Sequence, residues 1–72
     1  MQKRSGTFTL SNLGHRYIVA NVPSGESIDV YLINSDGDEV LIDRFVMSTT
    51  GECYLDIPTK FVCSAGAEVD IA

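Results

Sequence analysis

Turn-forming residues punctuate this chain so often that a long helix has nowhere to form. Gly6, Gly14, the Pro23-Ser24-Gly25 stretch, Gly37, Gly51, Pro58 and Gly66 divide it into short runs. Eighteen residues are Val, Ile or Thr, whose branched side chains suit a pleated strand better than a helix. The expected elements are therefore strands of four to nine residues joined by tight turns, with no helix longer than one turn.

Along the chain, Thr7–Leu10 forms a first strand, and Ser11-Asn12-Leu13-Gly14 turns into a second, Arg16–Asn21. Ile28, Val30 and Leu32 alternate along a third, and a fourth runs over Glu39–Met47. Thr49-Thr50-Gly51 reads as a turn into a fifth strand with Cys53, Leu55 and Ile57 on one side, ended by Pro58. A sixth covers Phe61–Ser64, and a last one carries Val69 and Ile71. Seven short antiparallel strands predict one all-β domain over residues 1–72, a small β-sandwich or partly open barrel, with residues 1–5 as an N-terminal arm. In strand spacing and turn types this layout resembles immunoglobulin-like and prealbumin-like modules, a resemblance that implies a fold and no particular function.

Asn34-Ser35-Asp36-Gly37-Asp38 is the strongest local signal, because Asp-Gly between apolar strands favours a two-residue type I′ turn. With Asp36 and Gly37 as that turn, Asp29 faces Arg44, Tyr31 faces Ile42, and Ile33 faces Val40. On the other face Ile28 meets Phe45, Val30 meets Asp43, and Leu32 meets Leu41. Both faces are largely apolar, which a solvent-facing antiparallel sheet would not be. Ile28, Val30, Leu32, Leu41, Phe45 and Met47 are assigned to the core. Tyr31, Ile33, Val40, Ile42 and Val46 then form a protein interface, with Asp29 and Arg44 at its rim.

Patterns that would carry chemistry are weak. His15 is the only histidine and reads as a turn residue, so no catalytic triad can be assembled around it. Asn34, Asp36, Asp38 and Glu39 resemble a fragment of a calcium loop, but Glu39 stands where the loop requires Gly, and turn chemistry accounts for these residues without a metal. Cys53 and Cys63 lack metal or redox spacing; they read as two small buried thiols, with a disulfide between neighbouring strands as the other reading. Tyr17, Tyr31 and Tyr54 could stack on a sugar only if strand pairing gathered them on one face.

A net charge of −5 opposes binding to nucleic acid or anionic lipid. Lys3 and Arg4 are followed by no apolar run, so the chain is expected to be made in the cytoplasm without a signal peptide. No catalytic, cofactor or metal site is expected. A small acidic β domain with an uncovered apolar face fits a structural or assembly protein acting through a protein partner or as a homo-oligomer. The specific expectation is a small virion component, such as a phage capsid-decoration, head–tail or tail accessory subunit, and the alternative is an immunoglobulin-like adhesion or carbohydrate-binding module.

Overall fold

The computed structural model describes residues 2–11, 14–54 and 57–72, with the side chains of Cys53 and Tyr54 outside that description. The expected turn at Asn12-Leu13 and the alternation through Leu55 and Asp56 lie outside the described residues. The described residues form eight strands: β1 (Gln2–Ser5), β2 (Thr7–Leu10), β3 (His15–Asn21), β4 (Ile28–Ile33), β5 (Glu39–Phe45), β6 (Thr49–Tyr54), β7 (Thr59–Cys63) and β8 (Glu68–Ile71). They make two four-stranded antiparallel sheets, ordered β1-β8-β3-β6 and β2-β7-β4-β5. The expected sandwich is present.

The order has a simple origin. Strand β1 pairs with β8, β2 with β7, β3 with β6 and β4 with β5, so the first half of the chain lies antiparallel to the second as one long ribbon. Rolling that ribbon brings β3 beside β8 and β4 beside β7, which closes the two sheets. Nested pairs wound in this way make a jelly roll, the double-sheet solution to covering strand edges.

The eighth strand is the segment expected as an arm: Gln2–Ser5 pairs with β8, Lys3 opposite Asp70 and Arg4 opposite Val69. Its chain crosses from one sheet to the other at Gly6, whose φ of 70° suits a residue without Cβ and whose carbonyl accepts from the Cys63 N–H at 2.9 Å. A further difference concerns Thr49-Thr50-Gly51, expected as a turn; these residues open β6, opposite Ala20, Val19 and Ile18, and the chain reverses at 46–48 instead.

Between the sheets, Ile18, Ala20, Val69 and Ile71 face Phe8, Leu10, Ile28, Val30 and Phe61, all buried. Strand alternation puts them there: each buried residue of β2, β4, β7 and β8 is separated from the next by one exposed or half-buried neighbour. Phe8 stacks on Phe61, its opposed residue, with ring centroids 5.2 Å apart, and the Arg4 guanidinium lies 4.7 Å above the Phe8 ring. The expected core members Ile28 and Val30 are buried, and Phe45 packs against the cluster while half-buried. Leu41 and Met47 are not core: they are 48% and 69% exposed.

Candidate functional site

At one side of the sandwich β1 and β2 end the two sheets, and Gly6 carries the chain directly from one to the other. On the opposite side, β5 ends one sheet and β6 the other, and here the sandwich stands open. The edge strand β5 is the feature that departs most from ordinary surface.

Its geometry begins at the turn. Asn34, not Asp36, organises the reversal: its Oδ1 accepts from the N–H groups of Asp36 and Asp38 at 3.0 and 2.9 Å, and its carbonyl accepts from the Gly37 N–H at 3.0 Å. The connection is thus residues 34–38 rather than a two-residue turn, and these contacts give the Asn34-Asp36-Asp38 pattern a turn function. The change of loop length alters the register. Asp29 faces Arg44, Ile28 faces Phe45 and Val30 faces Asp43, as expected, but Tyr31 faces Leu41, Leu32 faces Val40 and Ile33 faces Glu39. Ile42 has no opposed residue, because a β-bulge between Val30 and Tyr31 absorbs the shift.

The bulge divides the interface expected from the sequence. Asp29, Tyr31, Ile33 and Arg44 share the outer face, but the β5 residue opposite Tyr31 is Leu41, not Ile42. Val40 stands with Leu32 on the other side, and Ile42 lines the opening between the sheets. Val46 lies beyond β5 in the connection to β6, 60% exposed. The outer face carries two ion pairs. Arg44 donates from Nε and Nη2 to Asp29 at 2.6 and 3.2 Å, and Lys60 Nζ donates to both Glu39 oxygens at 3.1 Å. The hydrogen bond from Arg44 outweighs the opposing effect of burial and, with the Arg44 charge adding to it, holds the Asp29 carboxyl below the usual aspartate range.

Val40, Leu41 and Ile42 are each about half exposed, at 50%, 48% and 52%. Three consecutive exposed aliphatic residues on an edge strand are what soluble proteins usually avoid with charges, proline or a very short strand. Of the other edge strands, β1 carries Lys3 and Arg4 and, like β2, has only four residues, and β6 carries Glu52 and no consecutive aliphatic run. Beside β5 a cleft of about 480 Å³ enters between the sheets, lined by Ile18, Val30, Leu32, Ile42, Phe45 and Phe61, with Asp43, Glu52 and the Thr49 and Thr50 segment. A second apolar hollow, between Val40, Leu32, Ile57 and Pro58, continues the strip past the turn. What this edge offers is backbone with one side outside the sheet, beside clustered aliphatic groups, which suits the addition of a strand or the packing of a protein surface.

Other candidates are dispersed. Tyr17 lies opposite Glu52 in one sheet and Tyr31 opposite Leu41 in the other, so these two tyrosines belong to different sheets, and position 54 lies opposite His15 in the sheet of Tyr17. His15 opens β3, with Nε2 3.3 Å from Glu52 Oε2. Cys63 is a free thiol, half-buried against the core, and desolvation followed by the charge of Glu68 raises its pKa. Cys53 belongs to the other sheet, opposite Arg16. Among the described residues no three His, Cys, Asp or Glu side chains gather as a metal site would need. Comparison with protein-family models, with curated proteins and with solved structures finds no match to this chain.

Proposed function

We propose that this chain is a non-catalytic assembly subunit that joins other protein surfaces through the β5 edge. The observation that carries the reading is the run Val40-Leu41-Ile42, half exposed on the longer, uncapped edge of the open side of the sandwich. With Val46, Met47 and Ile57, 51–69% exposed, it forms an apolar strip of the kind that marks a protein interface. A small virion component is the specific form we propose, since jelly rolls serve as capsid domains among other uses; that step is analogy of fold alone. The alternative, an immunoglobulin-like adhesion or carbohydrate-binding module, gains less support, because Tyr17 and Tyr31 lie on different sheets.

The test is sedimentation of an extract from the native source carrying tagged wild-type chain or the double variant Leu41→Ser/Ile42→Ser. Both residues are exposed, so the variant should keep the wild-type circular dichroism. Wild type is expected in a fast-sedimenting fraction and the variant in the slow one. Equal, slow sedimentation of the two would reject the reading.

A further inference from the structure

We infer that two copies of this chain pair antiparallel along β5, in the register that sets Glu39 of each copy against Arg44 of the other. The inference rests on the reading of β5 as the assembly edge and names its occupant.

The bulge in the β4–β5 ladder decides the register. In a regular strand, residues 39 and 44 are an odd number of positions apart and point to opposite faces. Here both lie on the outer face, as their in-sheet partners show: Glu39 meets Lys60, and Arg44 meets Asp29. Ile42, the residue without an opposed partner, accounts for the change of phase. A two-fold axis perpendicular to the sheet keeps outer face with outer face, so residues opposed across it in regular strand must share a face. Setting Glu39 opposite Arg44 meets that condition, and it sets Val40 opposite Asp43, with Leu41 opposite Ile42 at the bulged centre. Moving the second strand by one residue in either direction would put Glu39 against Asp43 or against Phe45, inner-face residues opposed to Val30 and Ile28 in their own sheet.

In the inferred register each end of the junction becomes an alternating row: Lys60, Glu39, Arg44 of the second copy, then its Asp29. The two existing ion pairs are thereby linked into one network, twice over by symmetry. Between them, about the two-fold axis, Leu41 of one copy meets Leu41 of the other on the outer face and Ile42 meets Ile42 on the inner side, removing from water apolar groups that an isolated copy exposes. Both gains must outweigh the mutual repulsion of two chains of net charge −5.

The experiment measures the mass of purified chain by light scattering or sedimentation equilibrium over a concentration series, for wild type, Glu39→Lys, Arg44→Glu and an equimolar mixture of these two variants. Wild type is expected at twice the 7.8 kDa chain mass. Alone, each variant opposes like charges at both ends of the junction, and its dimer dissociation constant should rise roughly tenfold or more. The mixture should return close to wild type, because a heterodimer opposes the introduced lysine to the introduced glutamate at one end and keeps the native Glu39 and Arg44 pair at the other. Circular dichroism of each variant checks that the fold is intact. Dimers unaffected by either charge change, or a mixture no tighter than its components, would overturn the register. A wild-type chain monomeric throughout would overturn self-pairing, while the sedimentation of the native extract would still decide whether β5 is an assembly edge.

Discussion

Replacing Gly37 isolates one physical cause. Its φ is 87°, and a Cβ built there meets no heavy atom within 4 Å, so the cost of a side chain is backbone conformation and not crowding. Placing an L-residue in the left-handed region costs about 1–2 kcal/mol, so Gly37→Ala should lose about that much. Gly37→Val should lose about 1–3 kcal/mol, since a β-branched side chain is the worst fit to positive φ. Gly37→Asn should lose least, because its short polar side chain tolerates this region. The control is Gly51, inside β6 opposite Ile18, with no positive φ and equally open space. There Ala should be neutral or stabilise by roughly 0.5–1 kcal/mol, the usual penalty of glycine within a strand. Urea unfolding followed by circular dichroism measures both. With a slope of about 1 kcal/mol per molar for a domain this small, Gly37→Ala should move the midpoint down by roughly 1–2 M. Protein concentration must be held constant, because association stabilises the folded state. Equal shifts for Gly37→Ala and Gly51→Ala would refute the reasoning, since only the turn conformation distinguishes the two sites.

Other expectations follow from burial and charge. Phe61→Ala removes a ring that is 1% exposed and stacked on Phe8; its cost of about 3–5 kcal/mol equals the whole stability usual for a core of this size, so the chain should be unfolded by NMR at room temperature. Leu32, expected as a full core member, is half-buried on the wall of the cleft, and Leu32→Ala should cost only about 1–2 kcal/mol in the same urea titration. Because Arg44 lowers the Asp29 pKa in the folded chain, the pair's small contribution is complete above the unfolded aspartate value of about 3.9 and is lost as pH falls through the folded value. Asp29→Asn should therefore flatten the acid limb of stability against pH, and an unchanged limb would remove the pair from the account. Burial raises the Cys63 pKa and lowers its thiolate fraction, so it should alkylate more slowly than free cysteine at pH 8, whereas denatured, unreduced chain should take up two labels. A denatured chain that takes none would mean that Cys53 and Cys63 are joined.

Much of the fold was legible because strand alternation and turn residues are local signals. Phe8 with Leu10, Ile28 with Val30, and Val69 with Ile71 announce their inward faces at spacing two, and all six are buried. Strand β1 was not legible, since Gln2-Lys3-Arg4-Ser5 has no apolar alternation; it is a strand because β8 is there to pair with it. The nested strand order is likewise a property of long-range pairing and leaves no mark on turns. At the site, the Asp29–Arg44 pair followed from the hairpin register, because that end of the ribbon lies beyond the bulge from the turn. The rest of the expected interface slipped by one residue. Asn34 captures two backbone N–H groups and lengthens the loop, which Asp-Gly alone does not reveal. One signal could have shown the slip: Val40-Leu41-Ile42 breaks period-two alternation, and a consecutive apolar run in a half-covered strand implies either burial on both sides or an irregular edge.

The open side also explains why stability and association should be coupled in this chain. Strands β5 and β6 belong to different sheets and are linked through residues 46–48 without pairing to each other, and beside them lies the cleft lined by Val30 and Phe61. A cover on β5 also covers the mouth of this cleft, so it should protect the inner strands as well as the edge itself. Hydrogen exchange at rising protein concentration reads this directly. Amides of β4 and β7 should slow with those of β5 when the edge is covered, whereas protection confined to β5 would mean that a cover on the edge leaves the interior unchanged.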